Sequence, residues 1–139
     1  MKYSINYRVI YGDTDCGGVV YHANYLRMFE IARTEYIRGK GLPYSEVEEK
    51  YGVLLPVVET FIRFKAPAKY DDFLTIQTWL SEVKPYKLRF DYKVLKEGKV
   101  LVEGYTVHVP IDEKGKLRRF PEEVLKFLEK LKEGEADED

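Results

Sequence analysis

The chain has 139 residues, with 23 Lys and Arg against 24 Asp and Glu and a formal net charge of -1 at pH 7. This length fits one domain, and a hydrophobic content of 45% supplies a packed core, which excludes two domains and wholesale disorder. The near balance of charge argues against nucleic acid as the main partner, because a phosphate-binding surface needs an excess of basic residues.

The single cysteine, Cys16, excludes an internal disulfide, and no Cys/His spacing of a structural zinc site is present. The first residues lack the apolar region of a signal peptide, and no run reaches the roughly 18 apolar residues that a membrane span needs. The sequence therefore predicts a cytoplasmic protein with no membrane span and no metal.

The first predicted elements are a strand over residues 3–11 and, after a turn-rich run over 12–18, a helix over 23–38. In the helix the period is about 3.6, and Arg27 and Glu30 are expected to be neighbours on its polar side. It is expected to end at Gly39 or Gly41, before Pro43. Its predicted apolar face consists of Leu26, Phe29, Ala32 and Tyr36, widened by Tyr25, Met28 and Ile37.

Four strands are predicted next, over 53–65, 73–83, 88–94 and 100–111, and a closing helix opens at Pro121. One long helix followed by strands at hairpin spacing indicates the α+β class, with an antiparallel sheet wrapped around that helix. We assign one domain to residues 1–132 and an acidic tail to 133–139. The long sheet edges are expected to pair with another subunit.

Reactive side chains are concentrated between the first strand and the first helix. Asp13, Asp15, the only thiol and one of two histidines fall within a dozen residues. The N–H groups at a helix start can bind developing negative charge, and Gly17 and Gly18 let a ligand come close to the backbone. The same composition is also that of an ordinary turn, so the residues alone leave both interpretations open.

The pattern Asp-x-Asp-x-x-Gly-Val-Val-Tyr-His-x-Asn-Tyr, from Asp13 to Tyr25, resembles the signature of the hotdog-fold acyl-CoA thioesterases. Similar signatures occur in the Tol-Pal-associated and 4-hydroxybenzoyl-CoA thioesterases. The resemblance implies that Asp15 acts on the thioester carbonyl, as nucleophile or as general base for water. It also implies that the backbone N–H at His22 polarises the thioester oxygen, with its imidazole assisting, and that the hydroxyl of Tyr11 contacts the site.

Other assignments within this segment remain open. Cys16 is a nucleophile or a small buried residue, and a catalytic thiol normally has a paired base. Asp13, Asp15 and His22 form a possible divalent-metal site, although Asp13 is more simply a residue that caps the turn. His108 lies between two valines in a predicted strand and is interpreted as structural.

Coenzyme A carries phosphates, so basic residues are expected at the mouth of the site. The residues chosen for this role are Lys65, Lys87 and Arg118, from the basic pairs Lys65 and Lys69, Lys84 and Lys87, and Arg118 and Arg119. Each of them is alternatively a solvated surface charge. The acyl pocket is expected to use Tyr25, Phe29 and Phe61, with Gly17 and Gly18 also against the substrate.

The resulting prediction is an acyl-CoA thioesterase that needs no cofactor, coenzyme A being part of the substrate. The resemblance implies a homodimer with sites between subunits, and we extend this prediction to a homotetramer. A non-catalytic acyl-CoA binding module is the alternative, and a hotdog dehydratase is a third interpretation.

Overall fold

The computed structural model describes residues 2–138, and within them the chain forms one five-stranded antiparallel sheet with three α-helices. The order of strands across the sheet is β1-β3-β4-β5-β2, so β1 and β2 are its two edges. The elements are β1 Tyr3–Arg8, a 3-10 turn Tyr11–Asp13, α1 Asn24–Gly39, α2 Tyr44–Tyr51, β2 Val57–Phe64, β3 Phe73–Lys84, β4 Lys87–Lys96, β5 Lys99–His108 and α3 Glu122–Glu138.

The core lies between one face of the sheet and the helices α1 and α3, which both pack against β3. Alternation in β3 and β4 places every second side chain on this face, as the sequence predicts. The buried residues of β3 and β4 are Leu74, Ile76, Thr78, Leu80, Leu88, Phe90, Tyr92 and Val94. The long helix thus packs against the buried face of the sheet, and the predicted α+β class is confirmed.

The strand boundaries differ from the predicted ones where the chain turns or contains proline. β1 ends at Arg8, because the carboxylate and N–H of Asp13 bond to Ile10 and fold the chain into the 3-10 turn. β2 begins only after Pro56, and β5 stops before Pro110, which has no N–H to continue the ladder.

Helix α2 has no counterpart in the sequence prediction. It begins directly after Pro43 and ends at Tyr51, and the C-cap residue Gly52 has a φ of 65°, the left-handed conformation. Only Val47 of its residues is buried, so its apolar periodicity is too weak to be seen.

In α1, Leu26 was expected on the buried face but is 37% exposed. The buried stripe is centred on Met28, Phe29, Ala32 and Tyr36, and at 100° per residue Leu26 lies at its margin. α3 continues to Glu138 and therefore includes most of the predicted acidic tail. No helix among residues 2–138 is long and apolar enough to cross a membrane.

Strand β2 is an unusual edge, because seven of its eight residues are exposed. Val57, Val58, Phe61 and Phe64 are among the exposed large apolar side chains of the protein. β1, the other edge, shows ordinary alternation between half-buried and exposed residues. One edge of the sheet is thus apolar and uncovered, and the other is not.

Candidate active site

The segment between β1 and α1 folds into a small hairpin, residues 14–20, which we call the Asp15 hairpin. An isolated bridge pairs Thr14 with Val20, and the N–H of Asp15 donates to the carbonyl of Val19 at 2.9 Å. Gly18 has a φ of 81°, a left-handed conformation that favours glycine in the turn. Asp15 is therefore exposed in a hydrogen-bonded turn, and the chain leaves this hairpin directly into α1.

The carboxylate of Asp15 is exposed and only partly engaged. Its Oδ1 accepts a 2.8 Å hydrogen bond from the N–H of Gly17, whereas Oδ2 has no hydrogen-bond partner among residues 2–138. A Cβ at Gly17 would lie 3.2 Å from Oδ1, so this close approach favours glycine. One oxygen is thus held in place and the other is free to react.

The start of α1 has unpaired backbone donors. Its N-cap residue, Ala23, has no side chain that could cap the helix, and in the described part of the chain the N–H groups of His22, Ala23 and Tyr25 have no hydrogen-bond acceptor. These donors and the helix dipole favour negative charge at this position. The arrangement is suited to hold an oxyanion close to the Asp15 hairpin.

A cleft of about 270 Å³ opens beside this helix start. Its lining residues are Val20, His22, Tyr25, Phe64, Lys65, Ala66 and Pro67. The structure thus brings three of the predicted site residues, His22, Tyr25 and Lys65, to one cleft at the foot of the Asp15 hairpin. The bridge between Val19 and Lys69 joins the hairpin to the segment that follows Pro67, the last of the lining residues.

Within the cleft the side chains differ in burial. His22 is exposed, and its ring lies 4.4 Å from that of Tyr21 and 6.4 Å from that of Phe64. Tyr25 is 2% exposed, and burial raises the pKa of its hydroxyl, so it remains neutral at physiological pH. The ammonium of Lys65 lies 3.4 Å from the carboxylate of Glu103.

Phe64 lines the cleft but is absent from the predicted site residues. Its position beside Lys65 at the end of a predicted strand is the signal in the sequence that could have identified it.

Tyr11 lies on the surface, 73% exposed, and its ring stacks on Tyr70 at 3.8 Å between centroids. Its carbonyl accepts a 2.8 Å hydrogen bond from the hydroxyl of Thr14, which ties it to the Asp15 hairpin. The structure therefore places Tyr11 beside the hairpin but outside the lining of the cleft.

Two of the residues proposed to bind coenzyme A lie at the other end of the sheet. Lys87 is the first residue of β4, next to the turn at the end of β3, and its ammonium lies 3.2 Å from the carboxylate of Glu82. The Asp15 hairpin lies at the opposite end of β3, because it follows the end of β1 that pairs with the start of β3. The intervening length of β3 is about 36 Å at roughly 3.3 Å per residue. Arg118 donates to the carbonyl of Tyr51 at 3.1 Å, close to the same far turn. Within one chain, neither residue is brought to Asp15.

Three further residues do not have the positions expected from the sequence. Phe29 is fully buried and stacks on Tyr92, and Phe61 stacks on Tyr105, so neither lines the cleft. Cys16 is exposed and is not a small buried residue.

The carboxylate of Asp13 is occupied by protein donors, and no cluster suited to a metal occurs within residues 2–138. The metal site considered for Asp13, Asp15 and His22 is therefore not formed. Arg27 pairs with Asp13 at 2.5 Å, whereas the helix partner of Glu30 is Arg33. Arg27 and Glu30 are exposed neighbours three residues apart on α1, as expected, but each forms an ion pair with another residue.

His108 is structural, as predicted. It is 1% exposed, and its ring nitrogens bond to the Thr106 hydroxyl at 2.8 Å and to the Leu55 carbonyl at 3.0 Å. Burial lowers the pKa of its imidazole to about 4, so the ring is neutral in the folded protein at physiological pH.

The fold, a sheet wrapped around a long helix with a carboxylate hairpin at the helix start, is that of the hotdog thioesterases. The chain matches the Thioesterase-like superfamily over residues 9–128 and belongs to this family. It is 38% identical to the acyl-CoA thioesterase YbgC of Haemophilus influenzae, over 94% of this chain and 96% of that protein. It is 35% identical to the acyl-CoA thioester hydrolase YbgC of Escherichia coli O157:H7, over 85% and 89% of the two chains.

The crystal structure of the Thermus thermophilus protein TT1821 superimposes on this fold with a TM-score of 0.88. Its sequence is 37% identical, and the match covers 94% of this chain and 98% of that one. The predicted family and fold are thus confirmed, and so is the prediction of a thioester hydrolase at the level of the family.

Proposed function

We propose that the protein is an acyl-CoA thioesterase that hydrolyses an acyl-CoA to free coenzyme A and a carboxylic acid, with Asp15 acting on the thioester carbonyl. The observation that carries the proposal is the partly engaged carboxylate of Asp15, in a hairpin that leads directly to the N–H groups of His22, Ala23 and Tyr25, which are unpaired in the described part of the chain. The names of the YbgC relatives support the choice of substrate class.

The chemistry follows from these groups. As general base, Asp15 takes a proton from water while the water oxygen bonds to the carbonyl carbon, and the carbonyl oxygen becomes an oxyanion held by the N–H groups near His22. Collapse of this intermediate breaks the C–S bond and releases the coenzyme A thiolate, which takes up the proton. As nucleophile, Asp15 bonds to the carbon itself, expels the thiolate, and water hydrolyses the resulting anhydride. Both routes use the free Oδ2, and neither requires a cofactor.

The proposal is tested by measuring thiol release from short aliphatic, long-chain and aromatic acyl-CoAs. The substitution Asp15→Asn is expected to lower turnover by about 10² to 10⁴, the typical contribution of one positioned acid or base. Asp112→Asn is a matched control, because Asp112 accepts a 2.8 Å hydrogen bond from the N–H two residues later, as Asp15 does. Full activity of Asp15→Asn contradicts the role of Asp15, and saturable binding without thiol release indicates a binding module.

We further propose that two copies pair through β2 to form a homodimer. An edge strand with exposed apolar side chains and free backbone groups is a template for a second chain. In an antiparallel pairing of two β2 strands, the far turn of one copy is turned toward the Asp15 end of the other, which offers Lys87 and Arg118 a route to the substrate. The homotetramer and the cytoplasmic location stay predictions.

The dimer is tested by sedimentation of Val58→Glu, which places a charge in the proposed interface and is expected to yield monomers. Leu117→Glu is the control, since Leu117 is 59% exposed and Val58 is 57% exposed, but Leu117 lies outside β2. A dimer that is unchanged in Val58→Glu contradicts this interface.

A further inference from the structure

The buried residue Asp13 is an acceptor for three separate protein donors. Its carboxylate is 0% exposed and bonds to the hydroxyl of Tyr7 at 2.8 and 3.0 Å, the N–H of Ile10 at 3.0 Å and the guanidinium of Arg27 at 2.5 Å. These donors belong to β1, to the turn that follows it and to α1. One carboxylate therefore joins three elements that meet at the site.

The main-chain carbonyl of Asp13 extends the same junction. It accepts hydrogen bonds at 2.8 Å from the N–H of Tyr21 and from the side-chain amide of Asn24, the first residue of α1. The Asp15 hairpin is thus fastened at its base, on both strands, to the helix start that follows it. Ala23, the N-cap residue of α1, provides no side-chain hydrogen bond to this junction.

From these contacts we propose that Asp13, with Arg27 and Tyr7, is a positioning group that fixes the free oxygen of Asp15 relative to the N–H groups at the start of α1. This inference rests on the proposed function of Asp15. Asp13 itself is enclosed by its donors and does not reach the substrate. Its effect on the reaction passes through the geometry of the hairpin, and errors of about 1 Å in such geometry can cost about 10²-fold in rate.

The test substitution is Asp13→Asn. An amide has one oxygen, so it cannot accept from all three donors, and at least one of them is left facing an NH2 group. We expect kcat to fall by about 10- to 100-fold while KM changes by less than about threefold, since the cleft residues are untouched. Asp91→Asn is the matched control, because Asp91 pairs with Arg89 at 2.8 Å outside the cleft and the Asp15 hairpin, and its kcat is expected to be unchanged.

A double-mutant cycle separates positioning from a general loss of structure. If Asp13 acts through Asp15, the double variant Asp13→Asn with Asp15→Asn is no slower than Asp15→Asn alone. Multiplicative losses contradict the inference, as does a wild-type kcat in Asp13→Asn. Circular dichroism verifies folding, and if Asp13→Asn does not fold, Tyr7→Phe removes a single donor and is expected to lower kcat with KM retained.

The two proposals fail in different measurements. Hydrolysis retained by Asp15→Asn contradicts the role of Asp15 and, with it, the route assigned to Asp13. Hydrolysis lost in Asp15→Asn but retained at the wild-type rate in folded Asp13→Asn contradicts only the positioning inference.

Partial recovery of kcat in Arg27→Lys relative to Arg27→Met is expected, because lysine keeps a charge and one donor for Asp13.

Discussion

The N–H of Gly17 holds Oδ1 of Asp15 at 2.8 Å, and Oδ2 has no hydrogen-bond partner within residues 2–138. This hydrogen bond orients the carboxylate and leaves the lone pairs of the second oxygen available for the proposed reaction. It also favours glycine at position 17, since an added Cβ would lie 3.2 Å from Oδ1 and the carboxylate would have to shift by a few tenths of an ångström. The geometry of the reactive group is thus coupled to a residue that carries no chemistry itself.

We therefore predict that Gly17→Ala lowers kcat by about tenfold and leaves KM nearly unchanged, because the methyl group displaces the carboxylate but does not enter the cleft. Steady-state thiol release measures both constants. Gly12→Ala is the control within the same segment, as its Cβ would meet only Ile10 at 3.7 Å, an ordinary contact. Equal kinetics for the two variants would contradict the role given to the Gly17 hydrogen bond.

Cys16 is exposed at the hairpin tip next to Asp15 but has no role in the proposed reaction. We expect Cys16→Ser to keep kcat within roughly twofold of the wild type, the usual effect of a surface substitution. A loss of several orders of magnitude would instead identify the thiol as the nucleophile. The variant also removes the only protein thiol, so thiol-release assays report coenzyme A alone.

The buried imidazole of His108 makes stability depend on pH. Its pKa is about 4 when folded against an ordinary value of 6.5, so between these values the unfolded chain binds one more proton than the folded one. The contribution of neutral His108 to the free energy of unfolding is therefore complete above pH 6.5. It is lost as the pH falls toward 4, and the loss is at most about 3 kcal/mol. Urea unfolding at pH 7 and pH 5 measures this loss, and His108→Gln is expected to show a shallower dependence. Parallel pH curves for the two proteins would contradict it.

Gly104 of β5 lies opposite Ile62 of β2. A Cβ there would lie 2.3 Å from the carbonyl oxygen of Phe61, which is backbone and cannot rotate away. We predict that Gly104→Ala destabilises the fold by about 1–3 kcal/mol through this overpacking, measured by urea unfolding. Gly134→Ala, in α3 with nothing within 4 Å, is expected to be neutral or slightly stabilising.

Those parts of the fold that bury one face were predictable. In β3 and β4, apolar and polar residues alternate along the sequence because every second side chain, such as Leu74 or Phe90, faces the core. This alternation is visible in the sequence and predicts which side chains are buried. α1 was found for the same reason at a period of 3.6. α2 buries only Val47, so nothing periodic distinguished it from a loop.

The candidate site was predicted in part. The hairpin and helix start are adjacent in sequence, and their residues were found together. Lys87 and Arg118 were grouped with Asp15 by charge alone, whereas their distance from it depends on strand order and direction, which single-strand patterns do not carry. The pairing of Arg27 with Asp13 spans 14 positions and follows from the fold of the turn rather than from helix spacing.

The positions of Phe64 and Lys65 connect the cleft to the proposed dimer interface. Both line the cleft, and they lie at the end of β2, the strand that we propose pairs with a second copy. Separating the copies would free the strand whose end forms one wall of the cleft. Specific activity is therefore expected to fall on dilution, and the loss should follow the same concentration midpoint as dissociation of the dimer.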